Sequence, residues 1–346
     1  MALIQHILWR RAVPAAAVGD PPGGGGGRDG AAAAQPGEFI AGSYANQAGQ
    51  RAYKIYIPTA YAGRRLPLIV MLHGCRQTPD DFARATRMNE LAEERGCFVL
   101  YPAQTDSANH SKCWNWFRRA DQVRDQGEPS IIGGMTREML KRYPIDRRRV
   151  YVAGLSAGGA MAAVMAVAYP ELYAAVGIHS GLACVSAHDP VSAIAAMRGM
   201  PASTLRRQKD STPRSPALPT IVFHGDRDRT VHYRNGEQVI SQSVGGDGAS
   251  SADVSVDRGR VPGGHSYTRT VHHDSKGQVA LEYWLVHGGG HAWFGGSPRG
   301  SYSDPRGPNA AGEMVRFFLS ERLKGGWRQA LGWRGCQNPL HDDESD

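Results

Sequence analysis

A doubly wound α/β domain, its mostly parallel sheet covered by helices on both faces, is the fold class this sequence predicts. Three observations predict it. Short apolar runs bounded by turn residues recur at Leu68 to Leu72, Phe98 to Tyr101, Val150 to Ala153, Ala174 to Ile178, Ile221 to Phe223 and Tyr283 to Val286. Their unbroken hydrophobicity suits parallel strands buried on both faces. Helical stretches lie between several of them: Asp80 to Arg95, where Met88 and Leu91 share a face, and Ile131 to Tyr143, ending before Pro144. The third observation is a junction: the run ending at Ala153 enters Gly154-Leu155-Ser156-Ala157-Gly158 and then a small-residue helix from Ala157 toward Pro170. Strands alternating with helices in this way close into a sheet by right-handed crossovers.

The remaining elements follow in chain order. Residues 1 to 37 read as a flexible leader, because Gly23 to Gly27 and Ala31 to Ala34 offer too little apolar bulk to pack. Phe39 to Pro58 reads as an antiparallel entry hairpin turning near Gly49, with Tyr53, Ile55 and Ile57 alternating against Lys54 and Tyr56. Residues 186 to 217 and 244 to 266 are rich in Ser, Gly, Pro and Arg without a sustained period and read as loops. A last helix, Ala310 to Leu323, presents Met314, Phe317 and Phe318 to the core, and 324 to 346 reads as a tail. The catalytic domain is thus expected over residues 38 to 323.

Composition narrows the function. At 346 residues and 41% hydrophobic content the chain has ample material for one large core. The net charge of +8 comes from scattered arginines with no basic helix interleaved with aromatics, so nucleic-acid binding is not expected. No apolar run approaches the roughly 20 residues of a membrane helix. At the N-terminus Leu3, Ile4, Ile7, Leu8 and Trp9 precede Arg10-Arg11, the reverse of the order in a secretory signal. The five cysteines show no metal-ligand spacing, which leaves room for one or two bridges.

In a G-x-S-x-G strand-to-helix corner the central residue takes a strained conformation that lifts its hydroxyl above the sheet, making Ser156 the candidate nucleophile. A serine needs an adjacent base, itself oriented by a carboxylate. Two segments at the carboxyl ends of strands supply them. In His224-Gly225-Asp226-Arg227-Asp228 the preferred acid is Asp228, farther along the turn, with Asp226 the alternative. In His287-Gly288-Gly289-Gly290-His291-Ala292-Trp293 the preferred base is His291, because His287 abuts the strand. The order Ser156, Asp228, His291 is that of α/β-hydrolases. The oxyanion that forms needs backbone donors, expected from the amides of Ala157 and of Cys75 in His73-Gly74-Cys75. Trp114, Trp116, Trp293 and Phe294 are candidates for an apolar substrate pocket, with burial in the core as the alternative.

Leu72-His73-Gly74-Cys75, Cys113-Trp114-Asn115-Trp116-Phe117, Gly154-Leu155-Ser156-Ala157-Gly158-Gly159 and Gly290-His291-Ala292-Trp293 together resemble the polyhydroxybutyrate depolymerase family of esterases, with its feruloyl and acetylxylan esterase relatives. The resemblance spans residues 38 to about 320. It implies an α/β-hydrolase that cleaves carboxylic esters through Ser156, Asp228 and His291, with no cofactor and no metal. The implied partner is a hydroxyalkanoate oligomer or polymer, or an acylated polysaccharide. A non-catalytic binding protein on the same fold is the alternative of another class. Many relatives are exported, which points to an extracellular location; the N-terminal pattern points to the cytoplasm. Export would allow Cys75 and Cys113 to pair, anchoring the oxyanion loop to the aromatic segment.

Overall fold

The computed structural model describes residues 37–200, 218–244 and 253–323. The chain runs β1 (Glu38–Asn46), β2 (Gly49–Ile57), β3 (Leu66–Leu72), α1 (Pro79–Thr86), α2 (Met88–Arg95), β4 (Phe98–Pro102), α3 (Gly127–Arg142), β5 (Ile145–Leu155), α4 (Ala157–Ala168) and β6 (Ala175–His179). It continues with α5 (Pro190–Met197), β7 (Thr220–Gly225), α6 (Arg234–Val244), β8 (Val254–Arg260), β9 (Ser266–His273), β10 (Val279–His287), the short pair β11 (Trp293–Phe294) and β12 (Ser303–Asp304), and α7 (Ala310–Ser320). Strands β1 to β10 form one sheet in the order β1-β2-β4-β3-β5-β6-β7-β10-β9-β8. Its centre, from β4 to β10, is parallel. Antiparallel pairs flank the centre on both sides.

Strand periodicity sorts the core into two layers. On one face Leu68, Val70 and Leu72 of β3 join Val150 and Val152 of β5 and pack with Ile132, Met161 and Met165 from α3 and α4. On the other, Ile69 and Met71 join Tyr151 and Ala153 and pack with Phe82, Met88, Met314 and Phe318 from α1, α2 and α7. Each of the buried Leu, Val, Ile, Met and Phe side chains among them contributes about 1.5–3 kcal/mol. The motif glycines let α4 meet the sheet at backbone distance: a Cβ at Gly154 would lie 2.3 Å from the Gly158 carbonyl oxygen, and one at Gly158 would lie 2.0 Å from that of Leu72.

The entry hairpin, the six apolar strands and helices α3, α4 and α7 stand where the sequence pattern puts them. Two expectations are corrected. The single helix expected from Asp80 to Arg95 is two, separated by Arg87 in the left-handed region (φ 56°). The Thr86 hydroxyl donates to the Phe82 carbonyl at 2.8 Å and accepts from the Met88 amide at 3.3 Å, an alternative to the helical ladder that a β-branched hydroxyl residue offers. The stretches expected as loops contain α5 and β8, and β9 follows directly. Helix α5 starts on a capping box between Asp189 and Ser192, and β8 is an edge strand exposed along nearly its whole length. Its alternation is confined to Val254-Ser255-Val256-Asp257, too short to mark a strand, so its ladder to β9 is what reveals it. The leader over 1–36, the tail over 324–346 and residues 201–217 and 245–252 lie outside the described residues. None of the described helices is long and apolar enough to cross a membrane.

Cys75 and Cys113 are joined in a disulfide that closes a 38-residue separation. Cys184 is disulfide-bonded as well, and Cys97 is a free, buried thiol. Three histidines at the carboxyl edge of the sheet, His73 after β3, His179 in β6 and His224 in β7, are buried. Burial lowers the His73 and His224 imidazoles to about 4 and places His179 well below the ordinary range. All three are neutral in the folded protein at neutral pH.

Two outcomes follow. In the chain-entropy account the Cys75–Cys113 link contributes about 4 kcal/mol, so the double variant Cys75→Ala/Cys113→Ala should unfold at clearly lower urea; an unchanged midpoint refutes that contribution. The unfolded chain takes up protons at His73 and His224 near pH 6.5, whereas the folded chain resists until about 4. Their contribution is therefore complete above pH 6.5 and is lost as pH falls toward 4, by up to about 3 kcal/mol per residue. Urea titrations at neutral and acidic pH should show a shallower acid loss in His73→Gln than in the wild type; parallel profiles contradict it.

Candidate active site

Four strands that stand side by side, β5, β6, β7 and β10, deliver Ser156, His179, Asp228 and His291 to one edge of the sheet. Ser156 forms the corner between β5 and α4 with φ 57° and ψ −119°. For a residue with a side chain such a conformation costs of order 1–3 kcal/mol and persists only where the surroundings enforce it. Here the close approach of α4 does so, and the Ser156 amide donates to the His179 carbonyl at 2.9 Å. The Ser156 hydroxyl makes no hydrogen bond among the described residues.

The alternatives left open by the sequence are resolved by pairing. Asp228 Oδ2 accepts from His291 Nδ1 at 2.6 Å, while its Oδ1 accepts from the Thr230 and Val231 amides, each at 2.8 Å. Asp226 instead accepts from His287 Nδ1 at 2.9 Å and from the Gly288 amide at 2.7 Å. Asp226 thus ties down the start of the glycine loop, whereas Asp228 orients the imidazole at its far end. Burial alone would raise the Asp228 carboxyl; the bond and charge of His291, the charge of His224 and the Val231 amide outweigh it and hold the group below its usual value. With Nδ1–H committed to Asp228, His291 keeps Nε2 free to accept a proton.

The glycines of the loop have a close partner in the β7 turn. A Cβ at Gly225 would lie 2.2 Å from the Gly289 carbonyl oxygen, and the Asp226 and Arg227 amides donate to the Val286 and Gly289 carbonyls, both at 3.0 Å. Acid-bearing and base-bearing turns are therefore locked to one another through backbone.

Cys75 and Ala157 carry the expected oxyanion donors, and neither amide has an acceptor among the described residues. The loop that holds Cys75 is braced on several sides. His73 Nδ1 donates to the Gly74 carbonyl at 2.8 Å, its Nε2 accepts from the Gln104 amide at 3.0 Å, and the Gly74 amide donates to Gln77 Oε1 at 2.9 Å. The disulfide carries the bracing to Cys113, whose carbonyl accepts from Gln104 Nε2 at 2.9 Å. Buried Glu128 completes it by accepting from the Asn115 amide and side chain, both at 2.7 Å, and from Gln104.

The tryptophans are corrected. Trp114 and Trp293 are 0% exposed and Trp116 is 6% exposed, so their rings belong to the core rather than to a pocket open to substrate. Trp114 sits 5.7 Å from the His73 ring and Trp293 4.8 Å from the His179 ring, behind the site. Phe294 is fully buried beside them. Sequence reasoning passed over His179, Gln104 and Glu128. A polar residue closing an apolar strand, as His179 does after Ile178, is the one signal that marks any of them.

Among the described residues no cluster of three or more His, Cys, Asp or Glu side chains is arranged to hold a metal ion. Comparison with known proteins gives consistent matches. Poly(3-hydroxyalkanoate) depolymerase C of Paucimonas lemoignei is 33% identical over 261 residues, covering 73% of this chain and 59% of that protein. Probable acetylxylan esterase A of Aspergillus clavatus is 28% identical over 207 residues, 55% of this chain and 65% of the relative. The chain therefore spans less than two thirds of the length of either. Acetyl xylan esterase from Aspergillus awamori superimposes with a TM-score of 0.58 at 22% identity over 70% of this chain and 89% of that one, which establishes the shared α/β-hydrolase fold. The family model described as Esterase PHB depolymerase matches residues 51–260, more than half of the chain, and the protein belongs to that family.

Proposed function

We propose that this protein is a serine esterase that hydrolyses carboxylic esters through an acyl-enzyme. The observation that carries the reading is the 2.6 Å bond between Asp228 and His291, on the same sheet edge as a strained serine corner. His291 Nε2 takes the proton of the Ser156 hydroxyl as its oxygen attacks the ester carbonyl carbon, and Asp228 stabilises the imidazolium that results. The amides of Cys75 and Ala157 receive the charge on the carbonyl oxygen. Collapse of the tetrahedral species expels the alcohol, protonated by His291. Water, deprotonated by the same imidazole, then attacks the acyl-serine, and the acid leaves as His291 returns the proton to the Ser156 oxygen.

For the substrate, hydroxyalkanoate oligomers or polymer are the first reading, supported by the identity and coverage of the depolymerase match. A second reading, removal of acetyl or feruloyl groups from a polysaccharide, is favoured by the matches to a probable acetylxylan esterase and to a feruloyl esterase. Side-by-side rates on hydroxybutyrate oligomers, acetylated xylan and a feruloyl ester separate the two.

Hydrolysis of a chromogenic butyrate ester tests the machinery. Ser156→Ala should lose activity on the order of 10⁴-fold or more, and equal rates in the two proteins would sink the assignment and restore a binding role for the fold. Asp228→Ala should lose on the order of 10³–10⁴-fold in kcat, whereas Asp226→Ala, whose partner is His287, should lose about tenfold at most. The reverse ranking would contradict the choice of acid.

A further inference from the structure

His179 touches both halves of the site without belonging to the proposed relay. Its carbonyl accepts from the Ser156 amide at 2.9 Å, and its Nε2 accepts from the Phe294 amide at 3.1 Å, three residues beyond His291. An Nε2 that accepts must be bare, so the ring proton sits on Nδ1, where it donates to Ser180 Oγ at 3.2 Å. The ring stacks with two aromatic side chains: its centroid lies 4.8 Å from that of Trp293 and 5.7 Å from that of Phe223. The side chain is completely buried in a close-packed surround, which restricts its motion.

We propose that His179 is a positioning residue for ester hydrolysis: one residue fixes the nucleophile's backbone through its carbonyl and the base-bearing loop through its imidazole, holding Ser156 and His291 in mutual register. The inference rests on the esterase reading above. Its physical basis is that Ser156 and His291 lie on strands separated by β6 and β7, so their relative placement has to be carried across the sheet edge by side chains and loops. A neutral ring is required for a second reason. Burial and the neighbouring His224 and His291 all oppose a charge on His179, and a cation there would resist the imidazolium that must form on His291 during the reaction.

The test compares kcat and KM on a soluble butyrate ester for wild type, His179→Phe and His179→Gln, with Ser156→Ala as the control. The Phe variant keeps ring volume but removes the acceptor, and should lose on the order of 10- to 100-fold in kcat with KM within about twofold. The Gln variant returns an oxygen acceptor near the Nε2 position and should recover to within about fivefold of wild type. Wild-type kcat in the Phe variant, or equal losses in both variants, overturns the inference while an inactive Ser156→Ala leaves the esterase reading standing. An active Ser156→Ala overturns that reading instead. Should the Phe variant fail to fold, nitrogen NMR of wild-type protein with labelled histidine decides. A His179 ring protonated only at Nδ1 from about pH 5 to 8 supports the proposal, and an Nε2–H tautomer or a titrating ring overturns it.

Discussion

The approach of α4 to the carboxyl ends of β3 and β5 is the constraint on which the site depends, because it leaves the chain no room to turn except through a left-handed serine. Gly154 and Gly158 carry no side chain where a Cβ would fall 2.3 Å and 2.0 Å from carbonyl oxygens. The same contact seats the helix on the oxyanion loop, since the Leu72 and His73 carbonyls are the atoms that a Cβ on Gly158 would strike. Strain at Ser156 is thus the consequence of packing that stabilises the fold, and the buried small-residue face of α4 supplies the compensation.

Around that corner the protein distributes charge unevenly. His73, His179 and His224 are neutral through burial, and each satisfies a backbone partner: His73 and His179 accept amides, while His224 Nε2 donates to the Val231 carbonyl at 2.8 Å. Asp228 remains an anion in the middle of them because it gathers two amides and the His291 N–H. In the proposed reaction proton transfer falls to one imidazole, His291, whose side chain keeps 13% exposure while the Asp228 side chain has none. A buried carboxylate bonded to Nδ1 of a partly open imidazole fixes the orientation of that ring.

The loop over 73–75, the proposed oxyanion loop, is held from outside itself. No residue between 73 and 75 is placed by its own helix or strand; the Gln104 amide, the Cys113 sulfur and the Gln77 side chain hold it from three directions. Glu128, at the start of α3, extends the bracing by fixing the segment around Asn115. The aromatic rings first read as a pocket belong to this support. Trp114 packs against the His73 ring and Trp293 against the His179 ring, and both are fully buried.

The amino-acid sequence by itself determined the apolar strands, the order in which they alternate with helices, and the corner at Ser156, because these depend on local hydrophobic period and on glycines within a few residues of one another. It also narrowed the acid and base to two turns. Which aspartate meets which histidine was decided only by the tertiary structure: β7 lies against β10 although α6 and the β8–β9 hairpin separate them in the chain, and that register directs Asp228 to His291 and Asp226 to His287. The exposed edge strand β8, the buried tryptophans and the bridging role of His179 were likewise illegible, since each is set by neighbours distant in sequence rather than by the pattern of its own segment; the helix break at Arg87 is local, made by the Thr86 hydroxyl.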